Sequence, residues 1–167
     1  MFFRIGFLML MGIVLAGCGS SQNNGNETES KNALIVYKSP TCGCCRKWID
    51  HMQEVGFETD IVNRSNLSGI KKQYGIAKNA QSCHTSIYQD KYVFEGHIPA
   101  KMIQQFIDNP PSGAKGLVVP GMPIGSPGME SGSRFQPYKV WLLKENGEYS
   151  EYGKIESYDQ QFAVSEG

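Results

Sequence analysis

The sequence predicts an α/β domain, and three observations carry that prediction. Short apolar runs rich in β-branched residues alternate with stretches of helical periodicity. Glycine closes each of the first two helical stretches. A cluster of cysteines lies at the first strand-to-helix turn.

The first predicted strand is Ala33-Leu34-Ile35-Val36-Tyr37, and Lys38-Ser39-Pro40-Thr41 breaks it. From Cys44 to Val55 the apolar residues Trp48, Ile49, Met52 and Val55 recur at helical spacing, with Gly56 as the stop. Phe57 to Val62 reads as a second strand, and Leu67, Ile70 and Tyr74 before Gly75 as a short second helix. Strand, helix, strand in this order make a parallel βαβ unit. Thr85–Tyr88 and Tyr92–Glu95 flank Gln89-Asp90-Lys91 as a hairpin, and Pro99 to Ile107 carries one apolar stripe that Pro110-Pro111 ends. The order β-α-β-α-β-β-α is that of a thioredoxin-like domain. Gly116 to Glu130 is dense in glycine and proline but too apolar for a solvated linker, so it reads as an ordered Gly/Pro/Met-rich loop lying against the domain. Tyr138 to Leu143, the Asn146-Gly147 turn and Glu148-Tyr149 predict a terminal β-hairpin, followed by a polar, frayed tail over 156–167.

The segment ahead of this domain, 33–155, has a different character. One arginine precedes the apolar run Ile5 to Leu15, which is the length of a signal h-region and short of the roughly 20 residues a membrane span needs. Leu15-Ala16-Gly17-Cys18 ends it, which looks like a lipobox: residues 1–17 are read as a lipoprotein signal peptide and Cys18 as the lipidated N-terminus. Gly19 follows Cys18, so the expected location in a Gram-negative cell is the outer membrane, anchored by lipid and facing the periplasm. Residues 18–32 are polar and form the expected tether. Acidic and basic residues balance at 16 each, so no bulk field recruits nucleic acid.

With Cys18 set aside, Cys42, Cys44, Cys45 and Cys83 remain. The first three lie at the start of a helix, where unpaired N–H groups and the dipole favour thiolate. Ser82-Cys83-His84-Thr85 stands where a thioredoxin-like fold keeps the cis-proline that packs on its CxxC, so the fold would bring a fourth sulfur to the same place. Three chemistries fit. Two disulfides suit an oxidising compartment, but adjacent Cys44 and Cys45 make two strain-free bridges difficult. Thiol–disulfide exchange would use Cys42 and Cys45. A soft metal accounts best for the extra Cys44, the missing proline and Cys83; exported thiolates favour Cu(I), which crowded sulfurs can bridge. Met122 and Met129 are candidate thioether ligands or path groups, and His84 is a candidate ligand or tuning group. His97, ahead of a helix, is a further candidate ligand or ligand-supporting group, with a structural polar role as its plainer reading; His51 falls on the solvated side of the first helix and Trp48 in the core.

Four separated motifs extend the case: Tyr37-Lys38-Ser39-Pro40-Thr41-Cys42-Gly43-Cys44-Cys45, Ser82-Cys83-His84-Thr85, Glu95-Gly96-His97-Ile98-Pro99-Ala100 and the stretch from Val119 to Glu130. Together, over Leu34 to Leu143, they resemble the bacterial copper-resistance family CopG, formerly grouped as a domain of unknown function. The resemblance implies a periplasm-facing thioredoxin-like domain with a multinuclear Cu(I) cluster on the four cysteines. It also implies a role in copper resistance through interconversion of copper oxidation states. Expected partners are copper ions and an unidentified redox or copper-transfer protein; the lipobox lies outside the matched region, so membrane attachment through Cys18 rests on this sequence alone.

Overall fold

The computed structural model describes residues 32–162. The signal peptide, Cys18, nearly all of the tether and the last five residues lie outside the described region. Seven strands form one sheet in the order β2-β1-β3-β4-β5-β6-β7. The strands are β1 (Leu34–Lys38), β2 (Thr59–Asn63), β3 (His84–Tyr88), β4 (Tyr92–Glu95), β5 (Ala114–Val118), β6 (Tyr138–Lys144) and β7 (Tyr149–Ile155). The helices are α1 (Gly43–Glu54), α2 (Ser68–Gln73) and α3 (Ala100–Asp108). β1 pairs parallel with β2 and β4 with β5, and the other neighbours are antiparallel.

Alternation along the strands divides the core in two, because successive side chains leave opposite faces of a sheet. Leu34, Val36, Phe94 and Val140 join Trp48, Ile49 and Met52 of α1 and Ile103 and Phe106 of α3 on one face. Ile35, Tyr37, Ile87, Val93 and Leu143 meet Ile70, Tyr74 and Ile76, in and after α2, on the other. The helical stripe read from sequence holds for Trp48, Ile49 and Met52, but Val55 is the C-cap of α1 and points into solvent.

Three expectations about the C-terminal third need correction. The Gly/Pro/Met-rich loop does not begin at Gly116, because Ala114–Val118 is a strand, with β4 on one side and β6 on the other. Gly116 serves close packing rather than a turn: a Cβ there would lie 1.7 Å from the Val93 carbonyl oxygen. The terminal hairpin is also longer than predicted, with seven residues in each strand. Beyond it, the tail expected to fray forms a 3₁₀ turn at Asp159–Gln161, and Gln161 is buried. Its side chain accepts from the Tyr138 hydroxyl at 2.6 Å and donates to the Gly125 carbonyl at 2.9 Å, which satisfies the amide inside the fold.

His51 is likewise not simply solvated. Its Nε2 accepts the Ala100 N–H at 3.2 Å, supplying α3 with a cap that its own N-cap, Pro99, lacks. Burial holds the imidazole below its ordinary pKa of 6.5, against the charges of Glu130 and Glu54, which raise it.

Two outcomes follow from these contacts. Gly116→Ala should cost ~3 kcal/mol in urea unfolding by forcing β4 from β5, whereas Gly69→Ala, at an open site inside α2, should gain ~0.5–1 kcal/mol. For His51 the folded pKa is lowered, so its contribution is present above the unfolded value and lost as pH falls through it. Between about pH 7 and 5, wild type should lose stability relative to His51→Gln; parallel pH profiles for the two would remove the cap from this account.

Candidate metal centre

Strand pairing decides where the cysteines meet. β1 and β3 run antiparallel with Lys38 opposite His84, so the chain leaving β1 and the chain entering β3 stand side by side. After β1 a turn closes with Cys42 N–H donating to Ser39 O at 3.1 Å. Cys42 then becomes the N-cap of α1, and its sulfur accepts the Cys45 N–H at 3.3 Å. Cys44 and Cys45 follow in the first turn, and Cys83 faces them from the residue before β3.

All four sulfurs lie within 4.8 Å of one another. Cys45 Sγ is 3.4 Å from Cys83 Sγ, Cys44 Sγ is 3.4 Å from Cys42 Sγ, and Cys44 Sγ is 3.9 Å from Cys83 Sγ. Cys42 and Cys45 are joined by a disulfide across a Cα–Cα distance of 5.4 Å, while Cys44 and Cys83 are free. Of the two bridges weighed from sequence, one is formed, and the four thiols are not all free in this state. Three residues of separation across the N-terminal turn of a helix suit that bridge.

The histidines come closer than the sequence suggested. His97 is buried, and its Nδ1 lies 2.7 Å from the Pro127 carbonyl, an atom that only accepts, so Nδ1 carries the proton. The lone pair of Nε2 therefore faces Cys83 Sγ at 3.0 Å, and His97 belongs to the site rather than to a remote structural contact. His84 Nδ1 lies 3.5 Å from the same sulfur. The His84 ring packs 4.4 Å from Trp48 and edge-on to His97 at 5.0 Å, while its Nε2 has no hydrogen-bond partner among the described residues. Burial lowers both imidazole pKa values, that of His84 well below 6.5, so both are neutral donors at physiological pH. Burial also pushes the Cys83 thiol up to about 12, aided by the neighbouring Cys44. Trp48 is core as expected, and its Nε1 donates to Ile98 O at 2.9 Å.

The loop after β5 covers the start of α1. A Cβ on Gly128 would stand 2.6 Å from Cys44 O and 2.7 Å from Trp48 N, so the loop backbone rests on the cysteine turn. Met129 takes part through its backbone, donating to Ser126 O at 2.7 Å and accepting from Gly125 N at 3.0 Å; Met122 is half exposed. Sequence reasoning gave no role to three polar residues around this end of the sheet, Lys71, Glu95 and Gln161, all buried. Glu95 left a trace, an acid ending the apolar run Tyr92-Val93-Phe94. Lys71 and Gln161 left none.

The donor set fits a soft metal. Thiolates and neutral imidazole suit Cu(I), and the C-x-C-C spacing departs from the paired knuckles of a structural zinc site. Residues 80–129 match the family described as "Protein of unknown function, DUF411". Comparison with curated proteins gives no match. A solved structure of "Copper resistance protein copG", Form 1, is 35% identical, with a TM-score of 0.69 over 74% of this chain and 97% of that one. Form 2 of the same protein gives 35% identity and a TM-score of 0.70 over 75% and 98%. At that identity and coverage, the chain belongs to the CopG copper-resistance family.

Proposed function

We propose that this protein binds Cu(I) as a multinuclear thiolate cluster on Cys42, Cys44, Cys45 and Cys83, and that it interconverts Cu(I) and Cu(II) in copper resistance by exchanging one electron per ion with a redox partner. One observation carries the reading: the start of α1 and the residue before β3 bring four sulfurs within 4.8 Å, beside a neutral imidazole whose lone pair is aimed at one of them. His97 and His84 are nitrogen donors at the edge of the set, and Met122 and Met129 are thioether candidates on the covering loop. Copper is the cargo, and the chain supplies soft donors, a walled site and proton release. Reduction must come first: an external dithiol gives two electrons and two protons to the Cys42–Cys45 bond, which becomes two thiols while the dithiol becomes a disulfide. Each thiol then gives up its proton as it binds.

The domain is read as thioredoxin-like. Its support is the element order through α3 and the arrangement β2-β1-β3-β4, with β1 and β2 parallel and β3 and β4 antiparallel. That frame, together with the Cys42–Cys45 disulfide, favours a second reading, a thiol–disulfide oxidoreductase using that pair. Cys44 and Cys83, each 3.4 Å from one member of the bridge, are what an exchange enzyme does not need. The place of action is the cell envelope, with the domain held to the outer membrane through Cys18. The apolar run and Leu15-Ala16-Gly17-Cys18 support that placement.

Two measurements test these readings. Reduced protein titrated anaerobically with Cu(I) should bind more than one ion per chain, and Cys83→Ser should weaken binding at least about tenfold. Affinity no better than that of a generic dithiol, with efficient insulin reduction, would give the site to disulfide exchange. Labelled fatty acid should enter the protein in cells and fail to enter Cys18→Ala; incorporation into that variant, or into neither, would overturn the anchor.

A further inference from the structure

We propose that the buried Lys71–Glu95 ion pair positions Cys83, by clamping the backbone of Ser82 so that the Cys83 sulfur stands against Cys45 and His97. Its purpose rests on the copper-thiolate reading, while its geometry does not.

Lys71 comes from α2 and Glu95 from the end of β4, with side chains 6% and 0% exposed. Ion pairs so buried seldom stabilise a fold more than apolar residues of the same shape would, since both charges are desolvated. What they fix well is orientation, through the hydrogen bonds they must complete. Here Lys71 Nζ has three partners, the number its three protons allow: Ser82 O at 3.1 Å, Thr85 Oγ1 at 3.1 Å and, in a short contact, Glu95 Oε1. Glu95 Oε1 also accepts the Ser82 N–H at 2.5 Å, and Oε2 accepts from Thr85 Oγ1 at 2.7 Å. The cation thus holds the carbonyl of Ser82 and the anion holds its amide. The peptide plane that holds the Ser82 carbonyl also carries the Cys83 nitrogen, so the clamp fixes the direction in which Cys83 leaves.

Glu95-Gly96-His97 then acts as one unit. Glu95 reaches Ser82 and His97 reaches Cys83 Sγ at 3.0 Å. Gly96 between them permits the approach, because a Cβ there would lie 2.5 Å from Val119 O and 2.7 Å from Ser82 Cβ. A thioredoxin-like turn would fix this place covalently with proline; this chain has serine and cysteine, and two buried charges do the holding.

The test separates positioning from mere support of the fold. In Cys42→Ser/Cys44→Ser protein, the metal-free glutathione equilibrium of the Cys45–Cys83 pair measures how well those two sulfurs are held together. Adding Lys71→Met with Glu95→Gln removes both charges without leaving one unpaired, and should lower that effective concentration at least about tenfold in a protein that still melts cooperatively. In the four-cysteine protein the same double change should weaken Cu(I) binding, with Cys83→Ser adding little further loss. A folded double variant with an unchanged glutathione equilibrium would overturn the proposal. Should that variant not fold, hydrogen exchange of the wild-type Ser82 amide decides: protection like that of a sheet amide is expected, and exchange at the rate of an open loop would overturn the clamp. If wild type fails to hold Cu(I) while the equilibrium still shifts, the copper reading falls and the clamp stands.

Discussion

The pairing of Lys38 with His84 is the contact on which this molecule depends. Antiparallel register there sets the exit of β1 beside the start of β3, so Cys42, Cys44 and Cys45 face Cys83 across one strand boundary although 38 residues separate Cys45 from Cys83. Because β4 is antiparallel to β3 and parallel to β5, the ends of β4 and β5 arrive at the same edge of the sheet. His97 and the loop after Val118 are delivered there by topology. A one-residue slip between β1 and β3 would turn every side chain of β3 to the other face and empty the site of His84.

From that edge a chain of polar contacts runs outward to the C-terminus. Cys83 touches His97, His97 donates to Pro127 O, the same loop offers Gly125 O to Gln161, and Gln161 accepts from Tyr138 on β6. The tautomer of His97 is therefore set by a loop whose position is set by the last described turn of the chain. Residues well outside the cysteine motifs thus bear on which nitrogen faces the sulfurs, as partners behind a ligand commonly do.

How much of this was legible depends on what each residue answers to. Trp48, Ile49 and Met52 announced α1 because one face of that helix is buried and periodicity records burial. Cys83 was placed opposite the helix start because strand order fixes its neighbours. Gly116 misled, since glycine marks both turns and tight strand contacts, and only the Val93 carbonyl across from it tells which applies. Gln161, Lys71 and Glu95 were illegible as partners, because a buried polar group is specified by the geometry of distant acceptors and not by local pattern. The Cys42–Cys45 bond depends on redox state as well as on sequence.

Burial around the sulfurs has a further consequence for the states the site can hold. Cys45 is fully buried, and burial pushes the Cys83 thiol up to about 12, so an empty site carrying several thiolates is costly. The disulfide avoids that cost by removing two ionisable groups. Under the copper reading a soft cation avoids it differently, by neutralising the thiolates as they form. The neutral imidazoles of His84 and His97 add no positive charge that would repel such a cation, since burial lowers both pKa values. On that reading the site has two favoured conditions, bridged or metal-filled, and a dithiol intermediate between them. On the same reading, four sulfurs held this close behave as one unit whose oxidation and whose copper loading exclude each other.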